Sequence, residues 1–348
     1  MTVAVVPGAA PETAVRPAQK SPWLFSRAID SVLIANWWWP LLAVGIAAGG
    51  WLRGGLGWWQ VYLMSAPHRW ITLPLVFGEG ERVREQWRRF LAVGAGLLAF
   101  GAALLTIGLR AETGIAALGV FITVDTFWNS WHFASQAAGI SRIYGRSVAP
   151  DLDRSAVESE KLLFRMFVIW VFVRLAIVVG ANSSGAQVDL GLHDLDQLTR
   201  WGDFLALGIG ALLLYRIARL SKPGQRAQLS YAASFISLYG ALMLSLHAHQ
   251  TELILCFGFG ATIFHASEYL AVCRWAASRK RDGLWARPAS RSIGALLAFI
   301  AVIGGMNWLV ASWSRWAWLT MTLFVSLLHY GYDGMIWRSS PKRKVALA

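Results

Sequence analysis

The chain is dominated by apolar runs too long for an ordinary soluble core. Segments 90–109 and 291–311 are near-continuous stretches rich in Leu, Ala, Ile and Gly. In a helix, about 20 such residues cross the ~30 Å of a bilayer's hydrocarbon. Lipid offers the backbone no hydrogen-bond partner, so repeated runs of this length must fold as helices. Composition agrees: 56% of the 348 residues are hydrophobic and 15% are charged, where soluble domains carry about 25% charged residues. The expected fold is all-α, a polytopic transmembrane bundle.

Hydropathy places spans at about 30–52, 57–77, 90–109, 114–141, 162–181, 203–220, 229–250, 251–275, 291–311 and 315–337, ten helices in all. The net charge of +13 would suggest nucleic acid in a soluble protein. Its distribution argues for topology instead. On a ten-helix alternation, 26 of the 32 Lys and Arg fall on one side, while only Arg53, Arg110, Arg200 and Arg315 fall on the other. By the positive-inside rule both termini are then cytoplasmic, in an inner (plasma) membrane, with anionic lipid rather than nucleic acid as the charged partner. Residues 1–27 read as a flexible tail, 28–338 as one transmembrane domain and 339–348 as a basic tail. No basic segment precedes an apolar core at the start, so no cleaved signal peptide is expected. Oligomeric state is not legible in the sequence.

Aromatic and sulfur residues read mostly as structure. Trp37, Trp38 and Trp39, Trp58 and Trp59, and Trp313, Trp316 and Trp318 flank span ends, the level where indole rings anchor in the headgroups. Trp128 and Trp131 lie deeper, beside His132, where they can wall a pocket. Cys256 and Cys273 sit 17 residues apart on one expected helix, too far for a disulfide, and read as packing residues. The connection near 142–161 should be a loop, with Asp153 or Ser155 capping the next helix. The connection near 182–202 should be acidic and extracytoplasmic, with His193 solvated within it.

Chemistry resides in the polar positions of the spans. His68, His132, His265 and His329 each interrupt a different span, and all four spans run in the same direction, so the four imidazoles should share a depth. Asp125, Asn129, His132 and Gln136 follow i, i+4, i+7, i+11, which keeps them on one helix face. Thr322, Ser326, His329 and Asp333 repeat those offsets, and His265 and Glu268 are i, i+3. An ionisable group at the bilayer centre costs roughly 2.5–3.5 kcal/mol on insertion scales, so such stripes must face other helices or a cavity. His247 and His249 approach the opposite edge and, at i, i+2, diverge; at most one should join a common site.

Imidazoles with one or two carboxylates suit non-haem iron, and copper or zinc less decisively. The expected ligands are His68, His132, His249, His265, His329 and Glu268. Asp125, Glu268 and Asp333 are catalytic candidates. Asn129, Gln136, Arg69 and Asp333 would support the ligands, Asp333 on His329 and Gln136 on His132, by holding the second ring nitrogen. Arg69 and Arg174 need counter-charges, which Asp125, Glu268 or Asp333 can supply. The reading is an integral membrane metalloenzyme, an oxygenase or oxidoreductase using O2 on an apolar, membrane-dissolved substrate. In general plan this resembles the bacterial membrane enzymes that cleave β-carotene, polytopic bundles whose iron is held by scattered histidines; no sequence motif or substrate is carried over. The clustered HxxxH and HxxHH boxes of membrane desaturases are absent. A b-type haem protein with two axial histidines and a proton-coupled transporter are the competing readings, the latter weakened by the lack of an internal repeat.

Overall fold

The computed structural model describes residues 21–49, 61–78, 80–108, 114–148, 153–183, 192–220, 225–278 and 292–336. The C-terminal tail, the basic connection over 279–291 and the acidic stretch over 184–191 lie outside the described residues. So do Trp58 and Trp59, and residues 1–20 of the expected N-terminal tail.

Among the described residues the fold is wholly helical. The elements are α1 (Arg27–Leu33), α2 (Trp39–Gly49), α3 (Val61–Ser65, one π-helical stretch), α4 (Ala66–Trp70), α5 (Thr72–Gly78), α6 (Gly80–Gly108) and α7 (Gly114–Val148). They continue as α8 (Arg154–Ser183), α9 (Leu192–Leu220), α10 (Arg226–His247), α11 (Thr251–Ser278), α12 (Ile293–Trp313) and α13 (Arg315–Ile336). Among the described residues six helices are long and apolar enough to cross a membrane: α6, α8, α9, α10, α11 and α12. With 35 and 22 residues, α7 and α13 have the length, but their polar stripes lower their mean hydropathy. The chain is a helical membrane bundle.

Two expected spans are divided, and their sequences explain why. The span at 30–52 breaks at Asn36, whose φ of 50° is left-handed backbone, a region Asn tolerates better than most residues. The Asn36 side chain fixes the break by donating to the carbonyls of Ile34 and Phe264. The span at 57–77 is cut by Pro67 and Pro74. Each proline removes an N–H and crowds the carbonyl four residues earlier, giving the sequence of short segments α3, α4 and α5.

The three tryptophans at 37–39 do more than mark an interface. Their indole N–H groups donate to Ser230 Oγ (2.9 Å), Asn36 Oδ1 (2.8 Å) and Ser234 Oγ (3.1 Å) respectively, tying the α1–α2 turn to α10. Just before α1, the amides of Leu24 and Phe25 donate to the buried Asp30 carboxylate, which also receives Tyr144 OH. The last residues of the expected flexible tail are thus pinned to the bundle, and Trp23, Leu24 and Phe25 pack on its core.

The expected loops are shorter than the sequence suggested. α7 continues to Val148, and at 1.5 Å per residue it is roughly 50 Å long, more than the hydrocarbon requires. α8 then starts at Arg154 with Asp153 as its cap. The Ser155 hydroxyl and amide hydrogen-bond the Asp153 carboxylate and hold it below the usual carboxylate range. His193 lies in the first turn of α9 rather than in a loop. Cys256 and Cys273 are free and buried.

Two packed groups compose the bundle. One core joins α7, α8, α9, α10 and α11; the other joins α4, α5, α6 and α13 to α11, with α12 against it. Within their apolar windows α10 and α11 are 61% buried, whereas α12 is 11% buried, so α11 is a shared central helix and α12 lies at the periphery of the described bundle. The seam between the groups is where α4, α7, α11 and α13 meet.

Candidate functional site

That seam holds the four midspan histidines. His68 comes from α4, His132 from α7, His265 from α11 and His329 from α13, and all four are buried. Their rings form a closed square. Centroids are 5.1 Å apart for His68 and His265, 5.0 Å for His265 and His132, 4.7 Å for His132 and His329, and 5.0 Å for His329 and His68. Neighbouring rings are inclined by 73° to 85°. Phe133 lies flat on His265, centroids 3.6 Å apart, and fixes that ring's plane.

The hydrogen bonds define which nitrogens face inward. His68 Nδ1 is 2.6 Å from the Ser65 carbonyl oxygen. A carbonyl only accepts, so Nδ1 carries the proton and Nε2 the lone pair. His329 Nδ1 is 2.7 Å from Thr72 Oγ1, whose hydroxyl donates to Asp333 Oδ1 at 3.1 Å. With its one proton used there, Thr72 accepts from His329 Nδ1–H, and His329 Nε2 is left with its lone pair. That Nε2 lies 3.1 Å from His132 Nε2. Two imidazole nitrogens at about 2.1 Å from one metal would be about 3.0 Å apart at a right angle and about 3.4 Å apart at the tetrahedral angle. The observed spacing lies between those values.

His265 supplies the most telling atom. Its Nε2 is buried with no hydrogen-bond partner, and an unsatisfied buried polar nitrogen costs about 1–3 kcal/mol. His68, His265 and His329 each place a ligand atom within 4.8 Å of the other two, and so do His132, His329 and Asp333. The second trio is two imidazoles and a carboxylate, the donor set of non-haem iron sites.

The carboxylates divide into distinct roles. Asp333 Oδ1 receives hydrogen bonds from Tyr269 OH and Thr72, while Oδ2 faces the square, 4.0 Å from His132 Nε2. Glu268, expected as a direct ligand, stands one layer back. Its Oε1 accepts from Gln136 Nε2 at 2.7 Å and its Oε2 from Tyr231 OH at 2.8 Å. With Oε1 3.9 Å from His265 Nδ1, it backs the histidine, and neither ligand trio includes it. Gln136 accordingly serves Glu268 and the His265 carbonyl rather than His132. Asn129 accepts from Tyr330 OH at 2.9 Å. Asp125 is half-buried further along α7, outside both trios, and Arg69 donates to Ser326 Oγ at 2.9 Å.

His249 is not brought to this site. It ends the tight α10–α11 turn with φ of 52°, and its Nε2 is 3.1 Å from Asp196 Oδ2. His247 Nδ1 is 3.0 Å from Asp203 Oδ2. The same two aspartates hold Arg174, whose Nη1 and Nε donate to Asp196 and Asp203 at 2.7 Å each. Arg174 therefore finds its counter-charges on α9 and not among Asp125, Glu268 and Asp333. This separate network closes the far end of α8, α9 and α10, and the Arg174 charge at its heart makes it a poor cation site.

Sequence reasoning did not single out Thr72, Tyr231, Tyr269, Tyr330 or Phe133. All five touch a histidine or the carboxylate behind one. Comparison with protein-family models, curated proteins and solved structures returned no match. The site's meaning therefore rests on its own geometry.

Proposed function

We propose that the chain is an integral membrane metalloprotein whose four-histidine square holds one transition-metal ion, with Asp333 Oδ2 as a fifth donor, and that it oxidises an apolar, membrane-dissolved substrate. The observation that carries this reading is the unpartnered, buried His265 Nε2 among three other imidazoles from three other helices. Four imidazoles and one carboxylate leave a position open on an octahedral ion, and iron is the metal such a set suits when O2 is the co-substrate. Bound iron would supply O2 activation. The protein orients the imidazoles through Ser65, Thr72 and Glu268 and keeps bulk water away by burying every donor. Ten crossings with both termini cytoplasmic belong to the same reading, which sets the site within the hydrocarbon.

Haem fits this arrangement poorly. Neighbouring rings 4.7–5.1 Å apart on all four sides leave no slot for a porphyrin.

The reaction is tested by supplying 18O2 to membranes that contain the iron-loaded protein, then analysing lipid-soluble products by mass spectrometry. Label should enter a membrane-soluble product with the wild type and not with His132→Ala. Equal labelling with both proteins contradicts an oxygenase.

A further inference from the structure

Arg165 lies where α7 and α8 pack, and no carboxylate holds it. Its guanidinium carbon is 3.7 Å from the centroid of the Trp131 ring, a cation–π contact. Its Nε and Nη2 donate to Ser135 Oγ at 3.3 and 3.1 Å. A guanidinium carries five N–H donors in a fixed fork. Ser135 takes the side edge of that fork, so the end-on edge formed by Nη1 and Nη2 keeps its donors. Among the described residues no carboxylate oxygen lies within 4.0 Å of Arg165. Glu158, two turns earlier on α8, is paired with Lys161 at 3.5 Å. Arg174 on the same helix shows the contrast, since two aspartates hold it at 2.7 Å each.

The Trp131 ring is shared. With Val124, Phe127 and Trp128 it lines an apolar cleft open to the surface of the bundle, and Phe127 and Trp131 are about half exposed, at 53% and 48%. Val124, Phe127 or Trp128, Trp131 and Ser135 follow i, i+3 or i+4, i+7 and i+11, one face of α7. From Trp131 to Val124 the cleft therefore runs about 10 Å along the helix. Charge is ordered along this face. The end at Arg165 lies toward Arg154 and Lys161 of α8 and Arg142 and Arg146 of α7, whereas apolar side chains line the cleft. A lipid in one leaflet has the same order, an anionic head followed by hydrocarbon.

We infer that this groove seats an anionic phospholipid, with its phosphate on the end-on edge of Arg165 and one acyl chain in the cleft over Trp131, Trp128 and Phe127. Phosphate oxygens match the guanidinium fork with two parallel hydrogen bonds. Trp131 and Ser135 hold that fork in place before the lipid arrives. A zwitterionic lipid brings its own cation close to Arg165 and binds less well. The inference concerns the bundle surface and needs neither the metal nor its chemistry.

The test places the full-length protein in phosphatidylcholine nanodiscs. Each contains a trace of phosphatidylglycerol or phosphatidylcholine with a photoactivatable diazirine in one acyl chain, and labelled peptides are mapped by mass spectrometry. The segment 124–135 should be labelled about 5-fold more by the phosphatidylglycerol probe. Arg165→Gln should remove that preference at this segment, and Arg165→Lys should keep part of it. Arg146→Gln, an exposed change at the same basic end, should leave it in place. Trp131→Ala should lower labelling by both probes. Equal labelling of the wild type by the two probes overturns the inference, and so does a preference that survives Arg165→Gln. A preference lost equally in Arg165→Gln and Arg146→Gln also overturns it, because general attraction to the basic end would then suffice. If Arg165→Gln does not fold, Arg165→Lys decides: a partial loss supports the fork, and an undiminished preference contradicts it.

Discussion

At the residue scale, the proposed metal site depends on groups that lie behind the histidine square. Thr72 is the clearest. It accepts from His329 Nδ1 and donates to Asp333, so one hydroxyl fixes both the tautomer of a proposed ligand and the orientation of a carboxylate. Removing such a support weakens metal affinity by about 10–100-fold in characterised sites. Thr72→Val should therefore lose metal to a chelator at 10–100-fold lower concentration than the wild type, and Thr72→Ser should restore retention. Glu268→Gln should act more mildly than Asp333→Asn in the same titration, because Glu268 backs His265 while Asp333 Oδ2 faces the square. The histidines themselves were legible in the sequence, since a polar residue inside an apolar run is conspicuous and its depth follows from counting along the helix. Thr72 was not. A lone hydroxyl two residues before Pro74 carries no periodic signal, and it meets His329 only because the chain breaks between α4 and α5. The tyrosines were hidden for a related reason: in a membrane chain they resemble interfacial belt residues.

At the element scale, the prolines and close helix contacts set the geometry. Segment α3 packs so tightly on α12 that a Cβ at Gly304 would lie 2.9 Å from the Tyr62 carbonyl oxygen and 2.8 Å from Leu63. A backbone carbonyl cannot swing aside as a side chain does. Gly304→Ala should therefore destabilise the bundle by about 1–3 kcal/mol, seen as a lower Tm, and disturb the approach of α4 to the square. The far end of α8, α9 and α10 offers an independent check. Breaking a buried ion pair by removing one partner costs about 3–5 kcal/mol, so Asp203→Asn should lower Tm sharply, while the protein that remains folded should bind the proposed metal as the wild type does. This network was misread from sequence because α9 was expected to begin near residue 203. Its true start at Leu192 turns Asp196 from an apparent loop residue into a helical partner of Arg174 and His249.

At the scale of the whole molecule, two packed groups of helices share α11, and the site lies where they meet. Apolar run length was enough to infer a helical membrane bundle, because lipid leaves the backbone few alternatives. The subdivision of the first two spans was less legible, since hydropathy averages over the turns that Asn36, Pro67 and Pro74 create. A metal drawing ligands from α4, α7, α11 and α13 would also join both groups. The central claim is that this square binds one transition metal. The most direct measurement is elemental analysis of protein purified gently, without a polyhistidine tag or chelator, beside His132→Ala and His329→Ala prepared identically. The account predicts about one iron per wild-type chain, little in either variant, and no Soret band. A wild-type protein with no transition metal, or variants holding as much as the wild type, would contradict it.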